Sequence, residues 1–276
     1  MKTQHFFIVL AALTVLFAAC KKDNNSPQVK KEVFSGYAQK GPFVNGSSVA
    51  IIELDENLDQ TGKTYFTTIM DNFGSFEQKN IELISNYVEL KADGYFFEEI
   101  GGSTSIAPIT LYALVNIADV TSANLNVLTH LEKPRVEYLV KQGNSFSAAK
   151  QQALREILAI FGFSPSQTLS ERLNLTDDAI LIAISCILQG NSGVVGALVE
   201  FMVSISADIK EDGKLDNMAL GAKLMHNAIF LTTIDVNDNR SWLPRIRENM
   251  EKKYPNVTIP DFESYVQAFA NSNLYP

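Results

Sequence analysis

Hydrophobic and polar positions alternate with two different periods along the chain, and the change from one to the other sets the first structural expectation. From Val33 to about residue 118, apolar residues come in short runs of period two, separated by turn-forming residues. Ser48–Leu54, Tyr65–Ile69, a run opening at Phe76, Tyr87–Ala92, Tyr95–Ile100 and Ile109–Val115 read as strands. Asn45-Gly46, the polar stretch Asp55–Gly62, Asp71-Asn72-Phe73-Gly74 and Asp93-Gly94 read as the turns between them. Past Asn124 the period becomes helical. Leu125, Leu128, Leu131, Val136, Leu139 and Val140 predict one helix, kinked at Pro134. Ser145 or Ser147 caps the next, which Gly162 stops, and Thr176-Asp177-Asp178 opens a third that runs to Leu188. Val194–Ile209, Leu215–Ile234, Trp242–Lys253 and Asp261–Ala270 complete the helical series.

The fold expected from this pattern is α+β in two domains, an antiparallel β-sandwich over 33–118 followed by an all-α domain over 119–276. The runs 180–188 and 194–205 are apolar nearly all round. Each falls short of the roughly 20 residues a membrane helix needs, so both are expected as central buried helices.

The first 32 residues belong to neither period. Lys2 precedes a stretch from Phe6 to Phe17 that is apolar apart from Thr14, and Ala18-Ala19-Cys20 follows. The stretch is too short to span a bilayer and has the form of a signal-peptide core. With Cys20 it resembles the lipobox of bacterial lipoproteins, although Phe17 stands where an aliphatic residue is commoner. The resemblance implies a leader over 1–19, lipidation of Cys20 and attachment to a membrane through its acyl chains, since several chains anchor stably where one does not. Residues 21–32 are polar and charged, so 20–32 is expected to be a flexible tether. The Cys-Lys-Lys-Asp start looks like lipoproteins of the Bacteroidetes group, which implies the outer membrane.

Within 33–118 the phrases Gly36…Lys40-Gly41-Pro42…Gly46-Ser47-Ser48-Val49, Thr67-Thr68…Asp71-Asn72-Phe73-Gly74-Ser75-Phe76 and Glu89-Leu90-Lys91-Ala92-Asp93-Gly94-Tyr95 resemble the carboxypeptidase-regulatory-like, or prealbumin-like, β-sandwich. That family implies a spacer or adhesive module and no catalysis. The helix opening at Leu125–Leu131, followed by Gly143 and Phe146–Lys150, is similar to the continuation of surface lipoproteins that carry such a module; no activity comes with it.

Composition changes the picture little. The chain has 276 residues and a net charge of -8, which argues against a nucleic-acid partner. Of its two cysteines, lipidation would take Cys20 and leave Cys186, set in an apolar run and expected to be a buried core residue. His130 and His226 are the histidines beyond the leader, and His226, among apolar helical neighbours, is expected in the interior or at an interface. No catalytic or phosphate-binding motif stands out, and no cofactor is expected. Asp55, Glu56, Asp59 and Asp71 read as turn residues. The aromatics Tyr65, Phe66, Phe73, Phe76, Tyr95, Phe96 and Phe97 are expected to fill the core at alternate positions. The loop Asp208–Gly213 resembles an EF-hand start, but Lys210 occupies a ligand position and Ala219 the place of the closing Glu, so a helix–helix turn is expected. Asp235–Asn239 is a weak metal candidate for similar reasons.

Function is therefore expected to be non-catalytic: a membrane-anchored surface or periplasmic lipoprotein engaged in adhesion, assembly or partner binding. The alternative is a glycan- or peptide-binding accessory of an outer-membrane uptake system, with Trp242, Tyr254 and Tyr265 as candidate ligand-binding residues. Exposure of those three rings would favour the alternative and their burial the first.

Overall fold

The computed structural model describes residues 29–164, 166–235 and 240–275; the leader, Cys20 and Val236–Asn239 lie outside them. The chain runs β1 (Val29–Gln39), β2 (Ser48–Leu54), β3 (Gln60–Thr68), β4 (Ser75–Leu83), β5 (Tyr87–Gly94), β6 (Phe97–Glu98), β7 (Ser103–Thr104), β8 (Ile109–Asn116) and β9 (Leu125–Asn126). Helices follow as α1 (Val127–Lys141), α2 (Phe146–Ile160), α3 (Ala179–Gln189), α4 (Val195–Asp208) and α5 (Met218–Thr232). After the short pair β10 (Ile234–Asp235) and β11 (Arg240–Ser241) come α6 (Trp242–Lys253) and α7 (Glu263–Ala270). Antiparallel-rich sheets thus make up the N-terminal part and helices the C-terminal part.

Strands β3-β2-β5-β8 form an antiparallel four-stranded sheet, and β4-β1-β9 a three-stranded one in which β1 pairs antiparallel with β4 and parallel with β9. Period-two alternation sends Val49 and Ile51 of β2, Val88, Leu90 and Ala92 of β5, and Leu111, Ala113 and Val115 of β8 into one core, which they share with Phe34, Phe76 and Ile81 of the other sheet. Leu114, one residue out of that phase, points to the opposite face. There α1 and α2 bury it under Val136, Leu139, Ala149 and Ala153. The four-stranded sheet is therefore covered on both faces around Leu114, while Phe66 of β3 stays exposed on the outer face. The main core continues without a break from the sheets into α3, α4, α5, α6 and α7, so the β-rich and helical parts are built on one hydrophobic interior.

Several boundaries differ from those the pattern predicts. The tether was expected to reach residue 32, but β1 begins at Val29, which is buried opposite Leu83, while Lys30 pairs with Glu82 and stays exposed. A strand with one wet face tolerates this charge. Strand β3 begins at Gln60, inside the expected turn, and its first four residues are exposed. Side chains of β3 and backbone of β4 close the gap between the sheets: Tyr65 Oη donates to Glu82 O at 3.0 Å and Thr67 Oγ1 to Glu77 O at 2.7 Å. Strand β5 runs through the expected Asp93-Gly94 turn, and only Phe97–Glu98 of the Tyr95–Ile100 run is strand. Residues 125–126, expected at a helix start, add β9 to the sheet instead.

The helices follow the sequence more closely. Asn126 caps α1, accepting from Leu128 N and Thr129 N at 3.0 Å, and Thr129 Oγ1 accepts from Asn126 N at 2.9 Å, which completes a capping box. Ser145 caps α2 and Asp178 caps α3, as their positions predict. Helix α1 is continuous through Pro134. The helix over 180–188 is buried almost completely, as expected, whereas α4 buries only one face, through Val195, Leu198, Phe201, Met202 and Ile205, and leaves Val194 and Val203 exposed; no helix among the described residues is long and apolar enough to cross a membrane.

Candidate functional site

The two parts of the fold meet at a junction stitched by buried polar groups. Lys40, just past β1, and Glu99, just past β6, have no exposed surface, and their Nζ–Oε2 distance is 2.7 Å. The Ser185 hydroxyl of α3 donates to Glu99 Oε1 at 2.8 Å. Asn249 of α6 donates to Glu99 O at 2.9 Å and Ile100 O at 3.1 Å. Gln39 reaches the 174–175 turn, donating to Asn174 Oδ1 at 2.9 Å and accepting from Leu175 N at 3.2 Å.

A second buried cluster ties the helices to one another. Lys150 of α2 binds Glu132 of α1, and its Nζ lies 2.8 Å from Glu171 Oε2. Burial, reinforced by Glu171, pushes the Glu132 carboxyl above its ordinary range despite the opposing ammonium. Arg135 clamps Glu156 with two contacts, at 2.7 and 2.9 Å, and donates to Lys210 O at 3.2 Å, which fixes the α4–α5 turn.

Beside the first junction a groove of about 320 Å³ opens between the parts. Its walls include Tyr37 of β1, Asp71 and Phe73 of the β3–β4 turn, Asn174, and Tyr254 and Val257 beyond α6. Asp71 accepts from Phe73 N at 2.8 Å, Ser75 N at 3.1 Å and Ser75 Oγ at 2.6 Å; those hydrogen bonds outweigh desolvation and hold its carboxyl below the usual range. Tyr254 is buried, its ring 5.7 Å from that of Phe73, and its hydroxyl has no hydrogen-bond partner among the described residues. Burial, with Glu99 and Asp71 adding to it, pushes the phenol up. The neighbouring Lys253 ammonium lies 5.4 Å from the Phe73 ring centre and 5.1 Å from that of Phe97.

The three aromatic candidates do not form one cluster. Trp242, half-buried at the start of α6, packs on Phe230 with ring centres 5.1 Å apart and carries Arg245 over its face at 4.7 Å. Tyr265 of α7, also half-buried, meets Phe163 edge-on at 5.3 Å. Tyr254 lies in the groove wall. Among the β-part aromatics, Phe76 and Phe96 are core residues, whereas Phe66, Phe73 and Tyr95 are exposed.

The polar candidates hold turns and helix ends. Asp55 accepts from Asn57 N at 2.8 Å and Asp59 N at 2.9 Å, an Asx turn that uses its own loop. Asp208 accepts from Asp216 N at 2.8 Å and Asn217 N at 3.2 Å, and so braces the start of α5. Among the described residues no group of three His, Cys, Asp or Glu side chains is placed to hold a metal ion; most of the Asp235–Asn239 candidate lies outside them. Cys186 is a fully buried α3 residue whose thiol burial pushes up.

His226 is not an interior residue. It is exposed, because Leu224, Met225, Ala228 and Leu231 turn the other side of α5 inward. His130 instead packs against Tyr112, ring centres 5.8 Å apart, and burial followed by the Lys133 charge lowers its pKa to about 4. The unfolded chain binds a proton here near 6.5 that the folded chain refuses, so this histidine's contribution to stability is complete above 6.5 and is lost as pH falls towards 4. Urea midpoints measured across that window should therefore decline in the wild type and decline less in His130→Asn.

The sequence did not single out Glu99, Glu132, Lys150 or Ser185, since Lys and Glu ordinarily read as surface residues. No family model matches the chain, and no curated protein or solved structure is significantly similar to it.

Proposed function

We propose that this protein is a non-catalytic, lipid-anchored envelope protein that presents a rigid body to a partner at the outer membrane. The observation that carries the display role is the junction. Each part neutralises its own buried charges, Lys40 on Glu99 in the β-rich part and Lys150 on Glu132 and Glu171 among the helices, and Ser185, Asn249 and Gln39 then tie the two parts together. Ion pairs of this kind fix the relative placement of elements more than they add stability. A platform for adhesion or assembly needs that fixity. The placement of Trp242, Tyr254 and Tyr265 against three different rings also supports this role over glycan capture by an exposed aromatic cluster.

The anchor reading is supported by the Phe6–Phe17 stretch and Ala18-Ala19-Cys20. Strand β1 starts nine residues beyond Cys20, which allows at most about 30 Å of extended chain between the acyl chains and the fold. The body would thus stand close to the headgroups. In the finer reading, the two sheets form a prealbumin-like β-sandwich that serves as the spacer.

Palmitate labelling of cells expressing the chain tests the anchor. Wild type should take up label and fractionate with the outer membrane, while Cys20→Ser should lose both. Labelling of Cys20→Ser at the wild-type level would sink the proposal, as would an unlabelled wild type.

A further inference from the structure

We propose that the groove between Tyr37, Phe73 and Tyr254 binds an organic cation, an alkylammonium group held against the aromatic rings and paired with Asp71. The inference rests on neither the lipid anchor nor the display role.

The groove offers the two features such a group requires. Tyr37 and Phe73 are part-exposed, at 39% and 42%, and Tyr254 closes the wall behind Phe73. Faces of aromatic rings carry negative quadrupole charge and attract cations that are cheap to desolvate, alkylated ammonium groups above all. Asp71 supplies a full negative charge at the same place. Three hydrogen bonds from its own turn keep it ionised while leaving carboxylate lone-pair capacity unused. None of the residues lining the groove is basic.

The protein's own Lys253 gives a second, independent indication. Its ammonium is drawn over Phe73 and Phe97 rather than extended into water, and burial lowers its affinity for a proton while Asp71 restores part of it. The rings thus already attract one cation from outside the groove. An anionic ligand would face the Asp71 carboxylate in the groove wall, with the Lys253 ammonium standing outside the lining. A neutral sugar would gain nothing from the carboxylate's charge.

Choline is the probe, and its neutral carbon isostere 3,3-dimethylbutan-1-ol is the control, with ring-proton shifts of Tyr37 and Phe73 followed by NMR. Choline should shift both rings with a millimolar Kd and the isostere should not. Asp71→Asn retains the turn's acceptor and removes the charge, so it should weaken choline binding about fivefold or more with little change in Tm. Phe73→Leu should weaken it similarly, and Lys253→Met should tighten it by removing a like charge. An Nα-acetyl-lysine methylamide arm separates the two sources of such a group. Tighter binding than choline would assign a partner's basic side chain, and weaker binding a quaternary head group. Equal binding of choline and the isostere would mean an ordinary apolar cleft and overturn the proposal. No shift with saturating choline, or unchanged affinity in Asp71→Asn, would overturn it equally.

Discussion

Replacing Lys40 alone by Met is expected to destabilise the protein by about 3–5 kcal/mol, because it strands the Glu99 carboxylate without a counter-charge in an interior closed to water. Ser185 and Asn249 do not rescue it. The serine hydroxyl offers Glu99 a single neutral donor, and the asparagine bonds the main-chain carbonyl rather than the carboxylate. Glu99→Gln should cost less than Lys40→Met, since a neutral amide keeps a hydrogen-bonding oxygen for Ser185. The informative comparison is the double replacement Lys40→Met with Glu99→Leu. Removing both charges removes both desolvation penalties, so the double variant should recover most of the loss, leaving it near or above wild type. Urea unfolding of the three variants measures this directly. A double variant as unstable as Lys40→Met would mean that the ion pair itself, and not the stranded charge, carries the energy.

Gly36→Ala is expected to be comparably damaging for a different reason. A Cβ at residue 36 would stand 1.8 Å from Ala123 O and 2.8 Å from its carbonyl carbon. Those atoms cannot swing aside, because Ser35 holds the 121–123 segment on both sides, accepting from Ala123 N at 3.0 Å and donating to Thr121 O at 3.0 Å. The extra methyl must therefore push β1 and that segment apart, which places the cost at the upper end of overpacking penalties, about 3 kcal/mol or more. For a chain of this size that corresponds to a fall in Tm of roughly 10 °C. Gly46→Ala serves as the contrast. That position has open space around it, and its only penalty is a left-handed backbone at φ +87°. If calorimetry gave Gly36→Ala the same Tm as Gly46→Ala, the close approach at Ala123 would be wrong.

These two sites mark where the sequence was readable and where it was not. Gly36 falls in the β-type run Val33–Ala38 and Lys40-Gly41-Pro42 follows it, yet nothing in that run shows that the glycine is needed for a close approach or that the lysine is buried. Neither follows from local pattern, because the atoms that confine them lie more than fifty residues away, at Ala123 and Glu99. The termini of β1 and β3 were misplaced for a related reason. Lys30 and Gln60–Lys63 are polar because they face water, and being polar they look like tether and turn. Pairing of their backbones with another strand, β4 for Lys30 and the preceding β2 for the start of β3, is what makes them sheet. His226 looked interior because its neighbours on α5 are apolar, but in a helix adjacent residues point to different faces.

What the sequence alone determined is everything governed by neighbours within a turn or two of chain. The change of period near residue 120, the caps at Ser145 and Asp178, the full extent of α6 from Trp242 to Lys253 and the interior character of Cys186 all belong here. Tertiary structure decided the rest. The shared core across the two parts, the parallel pairing of β9 with β1, the covering of Leu114 by α1 and α2, the burial of Lys40 and Lys150 beside their carboxylates, and the groove between Tyr37, Phe73 and Tyr254 all join segments far apart in the chain. A period records which side of an element is apolar. Only packing decides what that side meets, and with which partner a buried charge can be neutralised.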